Sequence, residues 1–169
     1  MTGEVAMSDN YRFSPEAEKK FQELEKKFPQ RSSLVLWALH LVMEDKGYIP
    51  RSAVDYVAER VGVAPSWVAG VVSFYSMYHE TPIGKYHLNV CYNVSCYLMG
   101  SDKLEECIRR KLGIEPGETT IDGKFTFTRQ AECLAACGKA PAMLINHEYY
   151  ENLTPEKLEA ILDELIQKG

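Results

Sequence analysis

Four of the five cysteines fall into two pairs, and no other feature of the 169-residue chain restricts its fold as strongly. Cys91 and Cys96 are separated by four residues, Cys133 and Cys137 by three. Each pair follows a strand-like segment. Leu88 and Val90 alternate with Asn89 and Cys91 before the first, and Phe125-Thr126-Phe127-Thr128 alternates before the second. If both strands share a sheet, both pairs can lie in loops at the same end of it. Thiolates repel one another, so four in one place require a cation. Structural zinc sites and dithiol redox motifs favour two residues between paired cysteines, and neither pair has that spacing. The plant-type ferredoxin run starts with four but keeps its first three ligands in one compact stretch, whereas here the two halves are far apart. A binuclear iron–sulfur cluster with two ferric ions and two sulfides is the reading the spacing favours. A structural zinc module on the same cysteines and a thiol–disulfide enzyme are the alternatives.

The fifth cysteine, Cys107, shares an apolar stripe with Leu104 and Ile108 and reads as a core thiol. An odd count without a secretory signal argues against a disulfide framework. The segment Met1–Asn10 carries Glu4 and Asp9 and has no apolar run, so it is neither a signal nor a transit peptide. The longest apolar run, Leu34–Met43, is too short to span a bilayer. A cytoplasmic protein is expected, with any membrane association made through partners. The net charge is −5, and the densest basic run, Arg109-Arg110-Lys111, follows Glu105 and Glu106, so it reads as a solvated helix face and not as a nucleic-acid surface. No Gly-x-Gly-x-x-Gly occurs, and Gly117–Lys124 fails the phosphate-loop spacing, so no nucleotide site is expected on this chain.

The apolar periodicity changes once, near Thr81-Pro82-Ile83-Gly84. Before it the chain reads as a helical bundle over 14–80, preceded by a flexible N-terminus over 1–13. Ser14-Pro15-Glu16 is a cap, a proline and an early acid, opening a helix that bears Phe21, Leu24 and Phe28 and stops at Pro29. Stripes at Val35–Met43, Val54–Val61 and Val68–Tyr75 follow, the first two ending at Gly47 and Gly62. The run Phe74, Tyr75, Tyr78 suits core or interface equally. Over 85–169 the pattern is β-α-β, then β-β-α. A helix ends at Gly113, Asp122-Gly123 makes a turn, Ala142–Ile145 and Tyr149-Tyr150 form a hairpin, and Thr154-Pro155 caps a last helix. The class is α+β, a helical bundle followed by a small sheet packed with helices.

The stretches Cys91-Tyr-Asn-Val-Ser-Cys96-Tyr-Leu-Met-Gly100 and Ala131-Glu-Cys133-Leu-Ala-Ala-Cys137-Gly-Lys-Ala-Pro141 resemble the thioredoxin-like [2Fe–2S] ferredoxin family. Asn146, Leu153-Thr154-Pro155 and Ser73-Phe74-Tyr75-Ser76-Met77-Tyr78 extend the resemblance from about Ser14 to the end. Tyr92 departs from it, since the family often has a small residue or threonine after the first cysteine. The resemblance implies a thioredoxin-like domain with a four-stranded mixed sheet, and a cis-proline at Pro141. It implies one [2Fe–2S] cluster on Cys91, Cys96, Cys133 and Cys137, with Gly100 and Gly138 as candidates for close backbone approach. It further implies the small electron-transfer subunit of NADH:quinone oxidoreductase, respiratory complex I. That subunit works beside a flavoprotein subunit holding NADH, FMN and a [4Fe–4S] cluster, with other complex subunits around it, peripheral to the inner face of the membrane. NAD-linked hydrogenases and formate dehydrogenases contain comparable subunits.

Overall fold

The computed structural model describes residues 10–130 and 132–168. The chain divides between Pro82 and Ile83 into two units.

The first unit is built from four helices: α1 (Pro15–Glu25), α2 (Val35–Lys46), α3 (Arg51–Val61) and α4 (Pro65–Phe74), with a 3₁₀ turn at Arg31–Leu34 leading into α2. The Ser14 side chain accepts the Ala17 N–H and so satisfies one of the donors left open at the start of α1. That helix ends at Glu25, short of the expected stop at Pro29, and Phe28 packs on the core from the following turn. Left-handed Gly47 and Gly62 end α2 and α3 at φ 76° and 73°, where a side chain would be strained. Phe21, Leu34, Ala38, Leu39, Val42, Val57 and Val68 are sealed from solvent in a common core.

The expectation of flexibility over 1–13 falls largely outside the described residues. Its last part is corrected. Tyr11 is buried and meets Phe13 and Tyr56 edge-on, because burying large rings outweighs the entropy of leaving this stretch free. A carboxylate then latches the segment down. Asp45, near the end of α2, accepts hydrogen bonds from the Tyr11 hydroxyl at 3.0 Å, the Ser14 N–H at 3.0 Å and the Ser14 hydroxyl at 2.8 Å. The aromatic run splits. Phe74 and Tyr75 are exposed, whereas Tyr78 packs on the core and donates its hydroxyl to the Leu36 carbonyl at 3.0 Å.

The second unit has the order β1 (Tyr86–Cys91), α5 (Val94–Leu98), α6 (Ser101–Leu112), β2 (Phe125–Gln130), β3 (Met143–Ile145), β4 (Glu148–Tyr150) and α7 (Pro155–Gln167). The strands lie as β2-β1-β3-β4, with β1 parallel to β2 and the other pairings antiparallel. This is a thioredoxin-like arrangement. The Ala140–Pro141 bond just before β3 is cis. Leu88, Val90, Phe125 and Phe127 bury against Leu104, Ile108, Leu158 and Leu162 of α6 and α7. Gly84 gives its N–H to the Thr126 hydroxyl at 2.6 Å, and a Cβ there would stand 2.9 Å from the Lys124 carbonyl, so only glycine fits the approach.

Two expectations are corrected here. Helix α5 stands where a loop was expected. It is five residues long and turns Val94 and Leu98 outward, so it leaves no inward stripe to read. Glu105, expected on a solvated face, is only 4% exposed, because two arginines neutralise it.

The latch on Asp45 has a pH signature. Partial burial alone would raise its pKa, but hydrogen bonds from Ser14 and Tyr11 hold it below the usual aspartate value. A depressed folded pKa adds stability that is complete above the unfolded value, about 4, and is lost as pH falls through the folded one. Asp45→Ala is expected to lower stability at neutral pH by about 1 kcal/mol, a modest figure because the carboxylate faces solvent. Urea midpoints of wild type and variant should converge in acid; midpoints that diverge there would contradict the latch.

Candidate metal centre

Cys91 is the last residue of β1, and the sheet holds it from both sides. Its N–H donates to the Ala142 carbonyl at 3.1 Å, and the next N–H, of Tyr92, donates to the Gln130 carbonyl at 3.0 Å. Cys96 sits on α5, which Asn93 caps through a 3.0 Å bond from the Val94 N–H. Both sulfur-bearing residues are almost wholly buried. Cys133 lies in the connection after β2, and Cys137 opens a 3₁₀ turn at Cys137–Lys139; both are exposed. The expectation that all four lie in loops is therefore corrected for the first pair, which belongs to a strand end and a short helix.

The two pairs nevertheless follow neighbouring parallel strands at the same end of the sheet. The Cys133 and Cys137 sulfurs are 3.2 Å apart. Cys91 and Cys96 share a side-chain hydrogen bond, and Cys137 is near enough to act electrostatically on Cys96. Leu134 and Ala136, from between the second pair, pack on the buried group of Cys91, Cys96, Ala140 and Ala142. Burial is the largest influence on the Cys96 thiol, and with the neighbouring Cys91 and Cys137 it pushes the pKa up to about 11; a backbone hydrogen bond at Ala142 pulls the other way. The Cys96 thiolate would thus need cationic compensation here.

Among the described residues no three His, Cys, Asp or Glu side chains close on one point as they would around a single ion. The donor chemistry fits a binuclear iron–sulfur cluster, with Cys91 and Cys96 suited to one iron and Cys133 and Cys137 to the other.

Two residues that shape the second loop were missed by sequence reasoning. Ala135 adopts a left-handed φ of 59°, which aims its N–H at the Cys133 sulfur, 3.3 Å away. The Tyr149 hydroxyl of β4 donates to the Leu134 carbonyl at 3.0 Å and so ties the loop to the sheet. An alanine gives no advance sign of positive φ, and Tyr149 reads only as a strand residue. Of the two glycines expected to allow close approach, Gly100 is instead required by its φ of 98° ahead of α6, and no protein atom lies within 4 Å of a Cβ built on Gly138. Cys107 stands apart in the α6–α7 core. Its sulfur is 3.7 Å from the Pro155 carbonyl and 3.9 Å from Glu159, and burial, then Glu159, push its pKa up.

A thioredoxin-like sheet with two cysteine pairs gathered at one end defines a class of small iron–sulfur protein. The model of the thioredoxin-like [2Fe–2S] ferredoxin family matches residues 21–166, and the chain belongs to that family. Within it, the chain is 40% identical over 137 residues to an E-type subunit of NADH-quinone oxidoreductase from Rhizobium meliloti, covering 81% of each. It is 39% identical over 161 residues to the E-type subunit of NADH-quinone oxidoreductase from Rickettsia felis, covering 94% of this chain and 96% of that one. The resemblance to these oxidoreductase subunits extends over nearly the whole chain. In fold it is also similar to a chain of an NAD⁺-reducing [NiFe]-hydrogenase in the H₂-reduced state. The TM-score is 0.68 at 23% identity, covering 80% of this chain and 22% of that one.

The strained alanine yields a stability test. Its Cβ is exposed and packs on little, so Ala135→Gly should relieve the left-handed cost. The metal-free chain should gain about 0.5–1 kcal/mol, read as a rise in urea midpoint. A fall would mean that the backbone there is not held at positive φ.

Proposed function

We propose that this chain holds one [2Fe–2S] cluster on Cys91, Cys96, Cys133 and Cys137 and serves as the electron-transfer subunit of an NADH:quinone oxidoreductase. The observation that carries the reading is the packing of Leu134 and Ala136, from between the outer cysteines, on the buried group that contains Cys91 and Cys96, in a chain of this family. Such a cluster supplies reversible one-electron transfer, passing between a dianion and a trianion. The chain's part is to hold four sulfurs, shield the inner pair from water, and offer N–H groups such as that of Ala135 to sulfur.

The electron partner is the FMN of a larger flavoprotein subunit, which also holds the NADH site and a [4Fe–4S] cluster. Hydride chemistry belongs there. The names of the relatives support the assignment, and so does length: the Rickettsia felis subunit is matched over 96% of its extent, the hydrogenase chain over only 22%. The equivalent subunit of an NAD-linked hydrogenase or formate dehydrogenase is the second reading. No helix among the described residues is long and apolar enough to cross a membrane. The proposed location is cytoplasmic, on the inner face of the membrane through the other subunits of the complex.

Purified protein should be reddish-brown, contain two irons and two acid-labile sulfides per chain, and give a rhombic EPR signal of one unpaired spin after dithionite. Serine at 91, 96, 133 or 137 should abolish most of that signal, whereas Cys107→Ser should leave it intact. Colourless protein with one zinc per chain would replace the electron-transfer reading with a structural one. Co-purification with a flavoprotein, as opposed to hydrogenase or formate dehydrogenase chains, decides between the complexes.

A further inference from the structure

Glu105 carries a charge in a nearly sealed position, and the way it is neutralised leads to the first cysteine pair. Arg129, near the end of β2, grips both of its oxygens, Nε to Oε2 at 3.0 Å and Nη2 to Oε1 at 2.5 Å. Arg109, one turn further along α6, adds a contact to Oε1 at 2.6 Å and is itself paired with Glu115 at 2.6 Å. A fork held at two points fixes the plane of the guanidinium, which a lysine could not do. That plane lies over the ring of Tyr92, with the guanidinium carbon 4.3 Å from the ring centre. Tyr92 in turn meets Tyr97 at 5.1 Å between ring centres. These two tyrosines are the residues immediately following Cys91 and Cys96.

An ion pair with one buried and one exposed partner is weak evidence for stability, since desolvation offsets much of the attraction. What this one does provide is direction. It fixes a cation in one orientation over the ring of Tyr92, the residue that follows Cys91. We infer that Glu105, Arg129 and Tyr92 are positioning residues for the cluster: the Glu105–Arg129 fork and the tilted Tyr92–Tyr97 ring contact hold the Cys91–Cys96 segment in its cluster-binding shape. Arg129 has a second effect. Its charge stabilises the reduced cluster, which is the more negative form. Both roles rest on the [2Fe–2S] reading proposed above.

The test uses the full chain reconstituted with iron and sulfide. It measures iron release to a chelator and the midpoint potential from EPR-monitored titration. Tyr92→Leu keeps an apolar side chain but loses the ring, and with it the cation–π and Tyr97 contacts, so release should quicken about tenfold, the usual scale for groups that orient ligands. Arg129→Gln should do the same and also move the potential to more negative values. Arg129→Lys should restore the potential but not the slow release, since it returns the charge without the fork. Release at the wild-type rate in Tyr92→Leu, or an unchanged potential in Arg129→Gln, would reduce the pair to a tie between α6 and β2 and overturn the inference. Tyr92→Leu leaves the ion pair untouched, so the test stands even if Arg129→Gln does not fold. A wild-type chain that takes up no iron would instead sink the cluster reading itself, and the inference with it.

Discussion

The parallel pairing of β1 with β2 determines where the cysteines can meet. The register runs from Tyr86 opposite Phe125 to Cys91 opposite Gln130, so both strands leave the sheet at the same end. Each is followed by a cysteine pair. An antiparallel pairing would have sent the second pair to the far end, roughly 17–20 Å away for strands of this length. Parallel neighbours need a crossover, and α6 supplies it. Because β1 is central, it is fixed from both flanks: β3 leads back to Ala142 beside Cys91, and β2 ends beside Tyr92. The strand that carries the first thiol is thus the least free to move.

The two pairs are held by different means. The inner one is part of regular structure and shares a buried cluster with two alanines. The outer one hangs on a connection that, among the described residues, has no strand or helix of its own beyond a single 3₁₀ turn, and tertiary contacts shape it. Tyr149 reaches it from β4, and the Asn152 N–H reaches the Lys139 carbonyl at 2.8 Å. Lys139 also pairs with Glu151 at 2.7 Å. The hairpin β3–β4 and the turn into α7 therefore act as a frame for the loop between them.

Much of this was legible in the chain itself, and the rest was not for definite reasons. Gly47, Gly62 and Gly113 mark helix ends because a left-handed residue without a Cβ is a local requirement. The stripes on α2, α3, α6 and α7 show because each helix buries one face. The cysteine spacing shows because ligands cannot be exchanged for other residues. What stayed hidden is long-range or inverted. Asp45 meets Tyr11 and Ser14 across more than thirty residues, and no periodicity records such a contact. Glu105 looks like a surface acid until Arg129 comes over it. Helix α5 shows its apolar side chains to water, the reverse of the pattern by which helices are recognised.

The difference in shelter between the thiol pairs has a consequence for the chain before iron reaches it. Cys133 and Cys137 stand in solvent with sulfurs 3.2 Å apart, while Cys91 and Cys96 are covered. Air would find the outer two first, and neighbouring thiols close into a disulfide more readily than isolated ones. The fold protects one of the two cysteine pairs and leaves the other to the reducing power of the surroundings, so a newly made chain keeps all four thiols where iron or a reductant arrives before oxygen does.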